Sequence, residues 1–426
     1  MGFEWYMDFV DLDYKPSSND LICIFKIYPA SGITLEEAAG RVASESSIGT
    51  WTTLTTLTPH IKSLMARVYE IRRNIVKIAY PLEIFEGGNM PQILSSIAGN
   101  IFGMKALKAL RLEYVRFPRE IIEAFKGPIH GINGVRRILK IYNRPLIATV
   151  PKPKVGMTWM EHAKAGYEAW IGGVDLLKDD ENLSNQRFNR FEERLIETLR
   201  MRDKAERETG ERKGYLINIT AETREMLRRA KLVSRHGGEF IMIDILTVGW
   251  AALQTVRDEV EDLKLAIHAH RAFHAAFTRS RRHGVSMPVI AEIARLIGVD
   301  HIHIGTAVGK LESTKNEVKT LKNIVSSRKT RSILEQEWYN IKPVFPVASG
   351  GLHPGLIPEL IEILGRNIII QVGGGIWGHP MGGKSGALAV RQAVDAAIKK
   401  IPLVEYAEKH DELKEALSKW SFIKPI

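Results

Sequence analysis

Beyond residue 128 the chain repeats one unit: a short apolar run that ends in a polar residue or glycine, followed by a stretch long enough for a helix. The runs end at Lys152, Lys178, Thr220, Asp244, His270, Thr306, Ser349 and Gly373, and successive ends lie 24 to 43 residues apart. Each interval holds one crossover helix, and eight such units in a row predict a closed (β/α)8 barrel. An open doubly wound sheet would show a nucleotide-type glycine turn after its first strand, and none is present there. Closure matters chemically, because the carboxyl ends of all eight strands then converge on one mouth.

The chain before this repeat reads differently. Strands are expected over residues 21–28, 68–71, 75–80 and 110–117, with helices over 34–44 and 91–101. The order βαββαβ is that of a ferredoxin-like α+β domain. Pro118 and Gly127-Pro128 mark its end. We therefore expect an N-terminal ferredoxin-like domain over 1–128 and a C-terminal TIM-barrel catalytic domain over 129–426. After the eighth strand, residues 386–400 complete the barrel helices and 403–420 add helical cover. The basic stretch 326–332 is expected to be a loop.

Composition narrows the functional classes. Lys and Arg number 60 against 49 Asp and Glu, a net charge of +11. The longest charged run, 200–213, mixes both signs at helical spacing, which describes a solvated helix and not a nucleic-acid stripe. The single cysteine, Cys23, sits in an apolar run and has no partner for an internal disulfide. No apolar run has the length of a membrane span, and the first residues lack a secretion signal. The expectation is a cytoplasmic protein that binds neither nucleic acid nor membrane.

The strand ends carry the chemistry. Lys178-Asp179-Asp180-Glu181 places three acids after a lysine at the end of a buried strand, a costly arrangement unless a cation or a reaction uses it. Alternation puts Lys178 and Asp180 on one face and Asp179 on the other, where its role is structural. Asp180 and Glu181 are hard oxygen donors without cysteine beside them, so the metal expected is Mg2+. Two carboxylates are few for it. A lysine amine made neutral can react with CO2 to give a carbamate, which is chemically permitted as a third oxygen ligand.

Other strand ends supply Lys152 and Lys154, the pairs His268/His270 and His301/His303, Arg271, Ser349-Gly350-Gly351 and Gly373-Gly374-Gly375. A glycine loop lets backbone N–H groups wrap a phosphate. Either glycine run alone reads equally as a tight turn, but they end the seventh and eighth strands, where barrel phosphate sites sit. With a second anion site at Arg271 and His303, the pattern suggests a substrate phosphorylated at both ends. The glycine-hinged run 305–312 resembles a lid carrying Lys310.

These motifs, in this order, resemble the large subunit of ribulose-1,5-bisphosphate carboxylase/oxygenase (Rubisco), most of all its archaeal form III, which works without small subunits. The matching residues include Lys152-Pro153-Lys154, Gly173-x-Asp175-x-x-Lys178-Asp179-Asp180-Glu181-Asn182, His268-x-His270-Arg271, His303-x-Gly305-Thr306-x-x-Gly309-Lys310, Ser349-Gly350-Gly351-x-His353 and Gly373-Gly374-Gly375. Residues 45–51 and 99–103 match in the N-terminal domain. Ser313 and Ile376-Trp377 depart from the residues usual at those places.

The resemblance implies carboxylation of ribulose 1,5-bisphosphate to two 3-phosphoglycerates, with an oxygenase side reaction, in archaeal AMP or nucleoside salvage. It implies a carbamate on Lys178, formed from activator CO2, that joins Asp180 and Glu181 in holding Mg2+. Lys152, Lys178, His270 and Lys310 would be catalytic. Glu45, Thr50, Trp51, Asn100, Lys154, Arg271, His303, Ser349, Gly350, Gly351, Gly373 and Gly374 would bind substrate. Glu45, Thr50, Trp51 and Asn100 would complete the site of a neighbouring copy, so a homodimer or an assembly of dimers with shared sites is expected. A Rubisco-like enolase or isomerase of a sugar phosphate, or a non-catalytic sugar-phosphate-binding barrel, are the alternatives. The presence of Glu45, Asn100, His303, Lys310 and Ser349 together favours carboxylation.

Overall fold

The computed structural model describes residues 4–309, 314–331 and 333–425. Lys310, the expected lid residue, lies outside them, as does Ser313. The chain divides into two compact units: Met1–Lys126 with Phe273–Ile297 and Arg328–Ile341 in the first, and Gly127–Ala272, Gly298–Ser327 and Lys342–Ile426 in the second.

In the first unit, the strands Leu21–Pro29, Arg67–Arg72, Ile75–Tyr80 and Leu107–Arg116 form an antiparallel sheet in spatial order fourth, first, third, second. This is the arrangement expected of βαββαβ. The helix Leu35–Glu45 starts where Thr34 accepts a hydrogen bond from the Glu37 N–H, as its sequence predicts. Leu21, Cys23, Phe25 and Ile27 alternate into the core, fully buried.

Two later segments extend this unit. Gly284–Val285 adds a parallel strand beside Arg111–Leu112. Residues Lys329–Arg331 and Glu335–Glu337 pair as an antiparallel hairpin. The basic stretch expected to be a loop is therefore partly a strand. Trp338 donates from Nε1 to the buried Thr330 hydroxyl at 3.0 Å, and Gln336 bonds both the N–H and the C=O of Phe117. These side chains give the hairpin a buried anchor that its surface charges conceal.

The second unit is a closed barrel of eight parallel strands: Leu146–Thr149, Leu176–Lys178, Gly214–Asn218, Phe240–Asp244, Ala266–His270, His301–His303, Phe345–Ser349 and Ile369–Val372. They pair in chain order, and the eighth closes on the first. Leu146, Leu176, Leu216, Phe240, Ala266, Phe345 and Ile369 fill the barrel, and Ile132, Val135 and Leu139 from the helix Gly131–Leu139 pack against them. Losing one such leucine to alanine typically costs about 2–5 kcal/mol. Apart from the buried His268 and His301, that core is filled by hydrocarbon, and most of the polar side chains gather at the carboxyl ends of the strands. Among the described residues, no helix is long and apolar enough to cross a membrane.

Candidate active site

The second barrel strand is only three residues long, wholly buried, and ends on Lys178, which is 0% exposed. Its Nζ donates to the backbone oxygen of Asp179 at 2.7 Å. Burial is the strongest influence on this amine and holds its pKa below the ordinary lysine value, against the opposing pull of Glu181, Asp244, Asp180 and Asp179. A larger share of the amine is therefore neutral, and nucleophilic, than at a free lysine.

Alternation along the strand separates the three acids. Asp179 points into the protein, where it receives Arg194 Nε at 3.1 Å, the Tyr215 hydroxyl at 2.7 Å and the Asn218 N–H at 3.0 Å. His162 Nε2 also lies 3.1 Å away. Burial alone would raise this carboxyl, but Arg194 and His162 outweigh it and hold it well below the usual carboxylate range. Asp180 instead receives Lys152 Nζ at 2.8 Å and Asn182 Nδ2 at 3.1 Å. Glu181 lies 3.6 Å from Lys154 Nζ and 3.7 Å from His270 Nε2. Burial pushes both carboxyls up, yet Lys152 at Asp180 and His270 at Glu181 bring them below their ordinary values.

His270 is positioned by its neighbour strand. Asp244 and His270 are direct partners across the fourth and fifth strands, and Asp244 Oδ1 lies 2.8 Å from His270 Nδ1. That contact orients Nε2 toward Glu181. Asp244 was visible in the sequence only as a strand end; its role depends on the register of the pairing. Arg194, His162 and Tyr215 gave no signal, since each lies in an unremarkable stretch.

The fifth, sixth and seventh strands bring a second group together. The His270 and His303 rings meet edge to face with centroids 5.0 Å apart, and His303 Nδ1 lies 2.7 Å from Ser349 Oγ. Arg271 follows His270, is 8% exposed, and has no hydrogen-bond or ion-pair partner among the described residues. Burial lowers its pKa to about 10. A guanidinium buried without a carboxylate is suited to an anion that arrives from solution.

The glycines stand where their backbone approach is needed. Gly350 and Gly351 have φ of 116° and 70°, the second in the left-handed region open to glycine at little cost. A Cβ on Gly309 would strike the Gly350 carbonyl oxygen, so the loop after the sixth strand lies directly on the turn after the seventh. A Cβ on Gly373 would come 3.4 Å from Lys152 Cε, whereas Gly374 faces open space. The unusual Trp377 donates from Nε1 to Thr149 Oγ1 at 3.0 Å, and Thr149 in turn donates to the Val372 carbonyl at 2.7 Å. The turn after the eighth strand is thereby tied to the end of the first.

Lys152 with Asp180, and Lys154 and His270 with Glu181, are thus drawn together at the end of the strand that carries Lys178, with His303 and Ser349 joined to them through His270. Glu45, Thr50, Trp51 and Asn100 belong to the first unit. Glu45 ends its first long helix, the Thr50 carbonyl accepts from Trp5 Nε1 at 3.1 Å, Asn100 begins a single 3-10 turn, and Trp51 is 70% exposed.

Comparison with known proteins decides the family. Residues 131–420 match the ribulose bisphosphate carboxylase large chain, catalytic domain, and residues 8–121 match its N-terminal domain. The chain belongs to the Rubisco large-chain family. It is 53% identical to the ribulose bisphosphate carboxylase of Pyrococcus abyssi over 100% of this chain and 99% of that protein. Among solved structures, the dimeric archaeal Rubisco from Hyperthermus butylicus superposes with a TM-score of 0.94 at 53% identity, covering 98% of this chain and 100% of that one. The octameric Rubisco from Pyrococcus horikoshii, solved as a complex with sulfate, gives 0.94 at 52% identity, covering 99% and 98%. These Rubisco relatives match from end to end, so both units of the present chain are accounted for by one family.

Proposed function

We propose that this chain is a ribulose-bisphosphate carboxylase, active in the cytoplasm in archaeal AMP or nucleoside salvage. The observation that carries the reading is Lys178: a fully buried amine of lowered pKa, on the same strand end as two carboxylates that themselves meet Lys152 and His270.

The donor set fits Mg2+. Asp180 and Glu181 are oxygen donors of the kind Mg2+ takes, and a carbamate on Lys178 would add a third anionic ligand. CO2 supplies it when Lys178 Nζ bonds to its carbon and releases a proton, converting an amine into a carboxylate-like carbamate. The carbamate, Asp180 and Glu181 would then hold the ion. When bound, Mg2+ supplies positive charge against the substrate oxygens on which negative charge develops.

The remaining steps belong to the chain's own side chains. The Lys178 carbamate helps take the C3 proton of ribulose 1,5-bisphosphate. Lys152 gives and takes protons beside the reacting carbons, with Lys154 and His270 supporting it. CO2 adds at C2, and Lys310 steadies the new carboxylate. Water then adds at C3, and cleavage of the C2–C3 bond yields two 3-phosphoglycerates. Arg271, His303 and Ser349 hold one end of the substrate, and Gly350, Gly351, Gly373 and Gly374, with Thr50 and Trp51, hold the phosphate at the other. Glu45, Thr50, Trp51 and Asn100 are assigned to the mouth of a neighbouring copy's barrel, which makes a dimer the smallest active assembly. The Hyperthermus relative is dimeric and the Pyrococcus one octameric, which supports a homo-oligomer.

The test is fixation of labelled bicarbonate by purified protein supplied with Mg2+ and ribulose 1,5-bisphosphate. Label is expected in 3-phosphoglycerate. Proton exchange at C3 without label in product would point to the enolase alternative, and neither signal would leave only a binding barrel.

A further inference from the structure

Two buried histidines, His268 and His301, have no part in the chemistry assigned above, yet they lie in line with Ser349. His301 Nδ1 is 3.3 Å from His268 Nδ1, His268 Nε2 is 2.9 Å from His303 Nε2, and His303 Nδ1 is 2.7 Å from Ser349 Oγ. The strands explain the alignment: His301 and His268 are direct partners across the fifth and sixth strands, and His303 follows two residues on, on the same face. Adjacent rings meet nearly edge to face, at 79° and 84°. The far end of the row is apolar. His301 Nε2 has no hydrogen-bond partner among the described residues, and its ring packs against Phe240 and Phe345 with centroids 5.9 Å and 6.2 Å away.

Burial holds all three imidazoles below their ordinary pKa, His301 at about 3, so each ring is neutral and carries one N–H. A hydrogen bond between two ring nitrogens needs one protonated and one bare. Only two proton arrangements satisfy both N···N contacts. In one, His301 donates to His268, His268 to His303, and His303 donates from Nδ1 to Ser349 Oγ. In the other every bond is reversed, the Ser349 hydroxyl donates inward, and an N–H is stranded at His301 Nε2 in an aromatic pocket.

We propose that His301, His268 and His303 form a one-way hydrogen-bond relay that turns the Ser349 hydroxyl hydrogen outward, making His268 and His301 positioning residues for a substrate oxygen at Ser349 and giving His303 its hold on the substrate through that hydroxyl. Two considerations select this direction. Orphaned buried N–H groups are rarer than under-used acceptors. And only in this direction is the serine hydrogen free to donate to an oxygen-rich, anionic ligand; reversed, the serine presents lone pairs alone. His270 stands outside the relay, since its Nδ1 is engaged by Asp244. The inference rests on the substrate-binding role given to Ser349.

The test has a resting-state arm and a kinetic arm. In protein labelled with 15N-histidine, Nδ1 of His303 should give the shift of a protonated ring nitrogen in the wild type; a bare-nitrogen shift there would overturn the relay. In kinetics, His268→Leu should raise KM for ribulose 1,5-bisphosphate about 10-fold, His268→Gln, which both donates and accepts, should restore most of it, and Ser349→Ala should add little to His268→Leu. Equal effects of Leu and Gln, or additive losses with Ser349→Ala, would show His268 to be ordinary packing. The NMR arm needs no turnover, so a wild type with the expected tautomer but no carboxylation counts against the proposed function and not against the relay's direction.

Discussion

The Lys152 ammonium lies 2.8 Å from an Asp180 carboxylate oxygen, so Lys152 and the proposed metal draw on the same carboxylate. Lys152→Ala should therefore bind Mg2+ more tightly in the presence of bicarbonate, while kcat falls about 100-fold or more through loss of proton transfer. Calorimetric Mg2+ titration alongside turnover checks both effects. Weaker Mg2+ binding in the variant would show that Lys152 supports the ion and does not compete with it.

Asp179 should govern stability and not chemistry. Replacing it with Asn leaves Arg194, itself fully buried, without its counter-charge, a loss of about 3–5 kcal/mol for a buried pair. Urea denaturation would measure it. The pH dependence has a definite sign. The folded carboxyl is held below the unfolded value of about 3.9, so its contribution is complete above that pH and is lost as pH falls toward the folded value. Asp179→Asn should accordingly be less stable at neutral pH and lose less stability on acidification. Equal acid sensitivity in the two proteins would contradict the assignment.

Arg271 should act on binding. Hydrogen bonds to charged groups are worth about 1.5–3 kcal/mol, so Arg271→Ala is expected to raise KM for ribulose 1,5-bisphosphate by about 10- to 100-fold. Lysine should recover only part, because it lacks the planar fork that meets a phosphate twice. Initial-rate kinetics at saturating Mg2+ and bicarbonate would decide, and an unchanged KM would remove Arg271 from the substrate site.

The strand ends at Lys178, Asp244, His270 and Ser349 were legible residue by residue, because polarity changes abruptly where a buried strand leaves the barrel. The separation of Asp179 from Asp180 was legible too, since it needs only the two-residue period of a strand. The pairing of Asp244 with His270, and of His268 with His301, was not: it depends on the register between neighbouring strands, which no single strand encodes. Nor could the sequence tell that the helix Met287–Ile297 groups with the first unit. Its pattern declares a helix with an apolar face and is silent about which core receives it.

A carbamate on Lys178 would place that residue with Asp180 and Glu181 around Mg2+. The most direct measurement is a crystal structure of the protein grown with Mg2+, bicarbonate and an unreactive bisphosphate analogue. Carboxylate density should continue from Lys178 Nζ, with one ion shared by that group, Asp180 and Glu181. A bare Lys178 amine still bonded to the Asp179 carbonyl, with the ion bound elsewhere, would contradict it.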